Sequence, residues 1–415
     1  MTTSRPARRY GPVRPYGAVR RRLLRPAVVA LLCAAGPALV AAPGTAYAAG
    51  EDIQQRQWGL KSINAPDAWK TTKGEGVTVA VLDTGVDAGH PDLSGSVLEG
   101  KDVVGFGAGR GDSSWARHGT AMAGLIAGHG HGEDRKKGVI GVAPEAKILP
   151  VRVLLEDGDP QRAKARKSRG GALAEGIRWA ADNGADVINL SLGDDSGSAH
   201  PEAREDEAVR YALRKGAVVV ASAGNGGEDG DHVSYPAAYP GVIAATAVDR
   251  HDARASFSTR RWYATVGAPG KDVIISEPDR RYYEGWGTSA AAAFVSGAVA
   301  LVRAAHPDLK PAQIKELISD TARNTPEGGR SDALGTGIVD PAAAIEMGAS
   351  VTSSKHESGP QPYRKRYFGS GPDSDDGGTG WLAPVAGVCG VLLIGAALAL
   401  LRGLRLRVRD RLRFR

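Results

Sequence analysis

Between residues 49 and 380 this 415-residue chain has no cysteine; its two cysteines are Cys33 and Cys389. No disulfide can staple that middle stretch, so its stability must come from a hydrophobic core. The first 48 residues hold no acidic residue against eight arginines, and residues 381–401 hold no charge at all. Seven further arginines crowd residues 402–415. With both ends set aside, 38 basic and 45 acidic residues remain, so a formal net charge of +7 for the whole chain becomes −7 for the middle. The basic excess belongs to the ends, which removes the compositional argument for a nucleic-acid partner. Apolar residues make up 42% of the chain, enough for a sizeable core and far from a disordered composition.

The arginine-rich ends carry targeting patterns. Arg20, Arg21, Arg22 and Arg25 precede an apolar run over 26–40, and small residues lead to Ala46-Tyr47-Ala48, an A-x-A cleavage pattern. Residues 1–48 are thus expected to be an export signal; Arg21-Arg22 also loosely fits a twin-arginine signal. Trp381–Leu401 spans 21 uncharged residues, close to the ~20 a membrane-crossing helix needs. Trp381 suits one interface and the arginines from Arg402 to Arg415 the other. The positive-inside rule then places 402–415 as a cytoplasmic tail and everything before Trp381 outside a cell membrane crossed once. A buried core helix is the alternative, disfavoured by the terminal position and the arginines. Residues 350–380, rich in Ser, Gly, Pro and Asp, read as a flexible linker.

The middle alternates apolar strands with helical stretches. Strands are expected at 77–82, 148–154, 186–192, 217–222 and 242–248. Helices are expected at 119–128, 172–183, 203–215, 289–305 and 311–321. Near-continuous apolar strands alternating with helices predict a buried, mostly parallel sheet with helices on both faces, an α/β three-layer fold over 49–349.

Four segments carry chemistry. Asp83, in Asp83-Thr84-Gly85, ends an apolar strand, where open parallel sheets gather catalytic groups; alone it fits a turn residue equally well. His118 precedes Gly119-Thr120-Ala121-Met122-Ala123-Gly124. There the positive end of a helix favours the neutral imidazole of a general base, and small residues let the helix approach the sheet. A capping or core histidine is the alternative. Ser289 follows Gly287-Thr288 and opens an Ala-rich helix, so its own N–H points at a developing oxyanion, although N-cap serines are common. Asn225, between Gly224 and Gly226, is either a turn residue or an amide for an oxyanion.

Together these segments resemble the subtilisin family of serine proteases. Its motifs are matched at Asp83-Thr84-Gly85-Val86-Asp87 with His90-Pro91-Asp92-Leu93 behind, and at His118-Gly119-Thr120. They are matched again at Gly141-Val142-Ala143-Pro144, Asn189-Leu190-Ser191-Leu192-Gly193, Gly224-Asn225 and Gly287-Thr288-Ser289-Ala290-Ala291. The resemblance spans about residues 55–348. It implies a serine endopeptidase acting on protein or peptide substrates, without a cofactor. In it Ser289 is the nucleophile, His118 the general base, Asp83 its orienting acid and Asn225 an oxyanion donor. It also implies that a strand Ser191-Leu192-Gly193 pairs with the substrate backbone, and it suggests that Gly226 makes an uncharged pocket floor.

Two departures stand out. The proline that the family usually carries four residues after the nucleophile is here Ala293. The loop that binds calcium in many secreted subtilisins reads Asp134-Arg135-Lys136-Lys137, whose cations argue against a metal. Gln57-Trp58-Gly59-Leu60, Ala65-Pro66-Asp67-Ala68-Trp69, the linker, the anchor and the basic tail resemble the mycosins, the membrane-anchored subtilisins of type VII secretion. The resemblance implies secretion components as possible partners; a secretion scaffold and a general cell-surface protease are the alternatives. Only 34 residues separate Ala48 from Asp83, too few for a folded inhibitory pro-domain, although mycosins often have disulfides that this domain lacks. An insertion carrying Arg162, Lys164, Arg166, Lys167 and Arg169 reads either as a solvated, mobile loop or as a docking site for an acidic substrate or secretion partner.

Overall fold

The computed structural model describes residues 46–47 and 53–351. Most of the expected export signal, and the linker from 352, the anchor and the tail, lie outside the described residues.

A seven-stranded sheet forms the middle layer. Its strands, numbered in chain order, are β1 (Thr78–Asp83), β2 (Lys101–Asp102), β3 (Lys147–Arg152), β4 (Val187–Leu190), β5 (Val218–Ser222), β6 (Ile243–Val248) and β7 (Ala264–Pro269). They lie in the order β7-β6-β5-β4-β1-β3-β2, with every pairing parallel. Strand alternation explains the continuous apolar runs. On β1, Val79 and Val81 enter one core with helices α1 (Arg117–Ala127) and α5 (Thr288–Ala305). Ala80 and Leu82 face the opposite core, with α3 (Ala172–Asp182) and α4 (Ala203–Lys215). Both sheet faces are covered, so the strands are predominantly apolar. Each fully buried Val or Leu there stabilises the fold by about 1.5–3 kcal/mol.

Helix α2 (Arg162–Ser168) lies between β3 and α3; α6 (Pro311–Asp320) and α7 (Pro341–Gly348) close the domain. The expected helices and strands appear within a few residues of their predicted bounds. The structure adds β2, β7, α2 and α7. Among the described residues the one helix long and apolar enough to cross a membrane is α5, and it is a buried core helix.

Ala46–Tyr47, assigned by sequence to the export signal, pairs antiparallel with Tyr282–Tyr283 of a hairpin formed by Val273–Ser276 and Tyr282–Gly285. Cleavage after Ala48 would remove this edge strand.

Candidate active site

Asp83 is the last residue of β1, next to the point where the chain, having built β2 and β3 on one side of β1, crosses to β4 on the other. Open α/β sheets place their sites at such a switch. Asp83 is fully buried, and its Oδ1 accepts the Thr84 N–H at 2.7 Å. His118 Nδ1 lies 2.8 Å from Asp83 Oδ1 and 2.9 Å from Oδ2. The approach depends on glycine: a Cβ on Gly119 would stand 1.9 Å from the Gly85 carbonyl oxygen. Thr84 Oγ1 accepts the Gly119 N–H at 3.1 Å and locks the turn to α1.

Helix α1 has Ala116 at its N-cap and no capping side chain there. Glu156, from the loop after β3, takes that part: its Oε1 accepts the His118 N–H at 2.8 Å. Burial is the strongest single influence on the His118 imidazole and pushes its pKa down. The charge and hydrogen bond of Asp83, with help from Glu156 and Asp157, more than reverse this and raise it to about 9.

Ser289 occupies the first turn of α5, entered through Gly287 at φ 137°, a backbone region that favours glycine. Its Oγ donates to the Ser191 carbonyl at 3.1 Å, and no hydrogen bond joins it to His118. Asn225 is oriented by its acceptor end: Oδ1 receives the Thr288 N–H and hydroxyl, each at 2.9 Å. The Asn225 Nδ2 has no acceptor among the described residues and is free to donate. Asp195 fixes its main chain, accepting the Asn225 N–H at 2.7 Å. The Ser289 N–H, in a helix's first turn, has no intrahelical acceptor.

Asp83, His118, Asn225, Ser289 and the segment Ser191-Leu192-Gly193 line one cleft of about 790 Å³. That segment is not a strand, since β4 ends at Leu190. It runs on past the sheet, where Gly193 is exposed and its N–H and C=O are unpaired among the described residues. The expectation for Gly226 needs correction. It is buried behind the cleft with its N–H on Thr259 Oγ1 at 3.0 Å, and Gly224, Ser234 and Tyr235 line the cleft there instead.

Residues 74–337 match the profile of the peptidase S8 subtilase family. The chain belongs to the subtilase family. It is 38% identical over 273 residues to thermitase of Thermoactinomyces vulgaris, covering 65% of this chain and 89% of thermitase. To fervidolysin of Fervidobacterium pennivorans it is 37% identical over 328 residues, covering 73% of this chain but only 45% of that longer protein. Among solved structures, MycP1 from the ESX-1 type VII secretion system superposes with a TM-score of 0.61 at 30% identity, covering 73% of this chain and 89% of MycP1. This subtilase is a serine endopeptidase.

The family's calcium loop does not fit a calcium ion in this chain. Asp134 is paired with Lys136 at 2.9 Å, with Arg135 and Lys137 beside it. The buried Asp92 carboxylate next to this loop is engaged by His131 Nδ1 at 2.6 Å, the Val139 N–H at 2.9 Å and the Tyr282 hydroxyl at 2.9 Å. Among the described residues no group of three or more His, Cys, Asp or Glu side chains could hold a metal ion.

Sequence reasoning missed Glu156 and Asp195. Both follow strands at their C-terminal ends, where the switch-point rule would have flagged them, but neither belongs to a recognisable motif.

Proposed function

We propose that this subtilase is an outward-facing, membrane-anchored endopeptidase of mycosin type, with Ser289 as nucleophile. Ser289 turns from the Ser191 carbonyl to His118 Nε2, gives up its proton there and bonds to the scissile carbonyl carbon. The carbonyl π pair becomes an oxyanion held by Asn225 Nδ2 and the Ser289 N–H. Collapse breaks the C–N bond as His118 passes the proton to the leaving amine. Water then repeats the sequence, with His118 again as base, to release the acid. Asp83 orients the imidazole and offsets its positive charge. Substrate lies along Ser191-Leu192-Gly193 by backbone pairing.

The observation that carries the chemistry is the 2.8 Å Asp83–His118 contact in the cleft that also holds Ser289 and the free Asn225 amide. The location rests on the arginine-flanked ends, and the secretion role on the likeness to MycP1. A membrane-impermeant fluorophosphonate applied to intact cells should label Ser289. Labelling only after lysis would refute the outward orientation, and none at all would refute the nucleophile.

A second reading, a scaffold of the secretion machine with proteolysis secondary, draws on the same likeness. Ser289→Ala separates the two: secretion that persists without proteolysis favours the scaffold.

A further inference from the structure

The basic insertion is helix α2, and its spacing decides what each cation does. Arg162, Ala165 and Arg166 fall at i, i+3 and i+4, one helical face, Arg169 is the C-cap just beyond, and all four line the cleft. Lys164 and Lys167 do not. Ala165 anchors the helix in a small apolar cluster with Val104, Leu155 and Phe106, and Lys164 Nζ stands 4.8 Å over the Phe106 ring. Arg162 is spoken for: it pairs with Asp157 at 2.7 Å and donates to the Leu155 carbonyl. The side chains of Arg166 and Arg169 have no ion-pair or hydrogen-bond partner among the described residues.

Two like charges, one on the anchored helix and one at its C-cap, repel each other. No carboxylate lining the cleft pairs with either arginine: Glu205 takes the Tyr239 hydroxyl at 3.1 Å, Glu202 lies 3.4 Å from His200, Asp157 pairs with Arg162, and Glu156, Asp194 and Asp195 accept the His118, Ser196 and Asn225 N–H groups. Both side chains are exposed and line the cleft, so they are available to pair with whatever occupies it. We infer that Arg166 and Arg169 form a specificity wall that selects an acidic side chain in the substrate, close to the bond cleaved at Ser289. A guanidinium pair suits a carboxylate because its fork can bind both oxygens. The inference rests on the peptidase chemistry above, not on the secretion role.

The test uses the full chain and matched peptides carrying Glu, Gln or Lys in turn at each of four positions before and two after the scissile bond. The readout is the Glu/Gln ratio of kcat/KM within one enzyme, so losses from poor folding cancel. At low salt the ratio should reach about fivefold at one position and fall towards unity at 1 M salt, as expected for partly exposed charges. Arg166→Ser with Arg169→Ser should bring it to about one, while Lys167→Ser keeps it. A ratio near one in the unaltered chain, a preference for Lys, or a ratio that survives the double substitution overturns the proposal. Dissociation constants of the same peptides on Ser289→Ala give a second measure of the ratio that needs no turnover. An acid preference there, without cleavage by the unaltered chain, would sink the assigned chemistry and leave the wall standing.

Discussion

Glu156 offers the sharpest check on the electrostatics of the site. Its carboxylate accepts the His118 N–H at 2.8 Å and is among the charges that raise the imidazole pKa to about 9. Glu156→Gln keeps an oxygen acceptor for that N–H and removes the charge. At a separation on the order of 6 Å a unit charge is worth about 0.7 kcal/mol in water-like surroundings, roughly half a pKa unit, and more where the dielectric is lower. Catalysis needs neutral imidazole, so kcat/KM should climb with pH through about 9 and level off above it. Losing a negative charge lowers that pKa, and the acid limb moves to lower pH. In the sloping region, near pH 7.5, the variant should be about threefold more active, the antilog of half a unit. On the alkaline plateau the two profiles should coincide, and the gap should shrink at 1 M salt. A limb that stays put or moves up would refute the role given to Glu156. Stability follows the same linkage. A folded pKa above the ordinary 6.5 means that the imidazolium–Asp83 attraction is fully present below about pH 6.5 and is lost as pH rises through about 9.

Further outcomes can be measured directly. Asn225→Ala should lower kcat by about 10²–10³ with little change in KM, the usual result of removing one oxyanion donor; an unchanged kcat would assign the asparagine to the turn alone. Gly119→Ala puts a Cβ 1.9 Å from the Gly85 oxygen and 3.2 Å from Asp83 Cβ, so fluorophosphonate labelling should fall sharply along with thermal stability. Around Asp92, losing one donor to a buried carboxylate costs about 1–3 kcal/mol. Tyr282→Phe, at a fully buried position, belongs at the upper end. His131→Ala, where water can replace the lost contact, belongs at the lower end, and the reverse order in denaturant unfolding would contradict the assigned burial.

What the sequence disclosed and what it hid follow from how each feature is encoded. Strands β1 and β4–β6 were legible because burial on both faces forces runs such as Val79-Ala80-Val81-Leu82 to be wholly apolar. Helix α4 was placed to the residue, Ala203–Lys215, because Gly216 ends it in a left-handed conformation. Asp83, His118, Asn225 and Ser289 were legible because each sits where an element begins or ends, with a glycine nearby for a turn or a close approach. Helix α2 was not: Ala165 is its single buried residue, so no apolar period marks it, and a small distant cluster sets its register. Strand β2, two residues paired at the sheet edge, is equally silent. The same reasoning separates the reactive groups from their tuning. Asp83, His118 and Ser289 ride on regular elements and Asn225 follows a strand closely, whereas the carboxylates that bias them, Glu156 on His118 and Asp195 on Asn225, reach across from loops 38 and 30 positions away. Those contacts depend on loop conformation, which no period encodes. Hence the reaction class could be read from residue order, while the adjustment that Glu156 makes to the His118 pKa, and the placing of Arg166 and Arg169 along the cleft, depend on positions that the folded chain brings together.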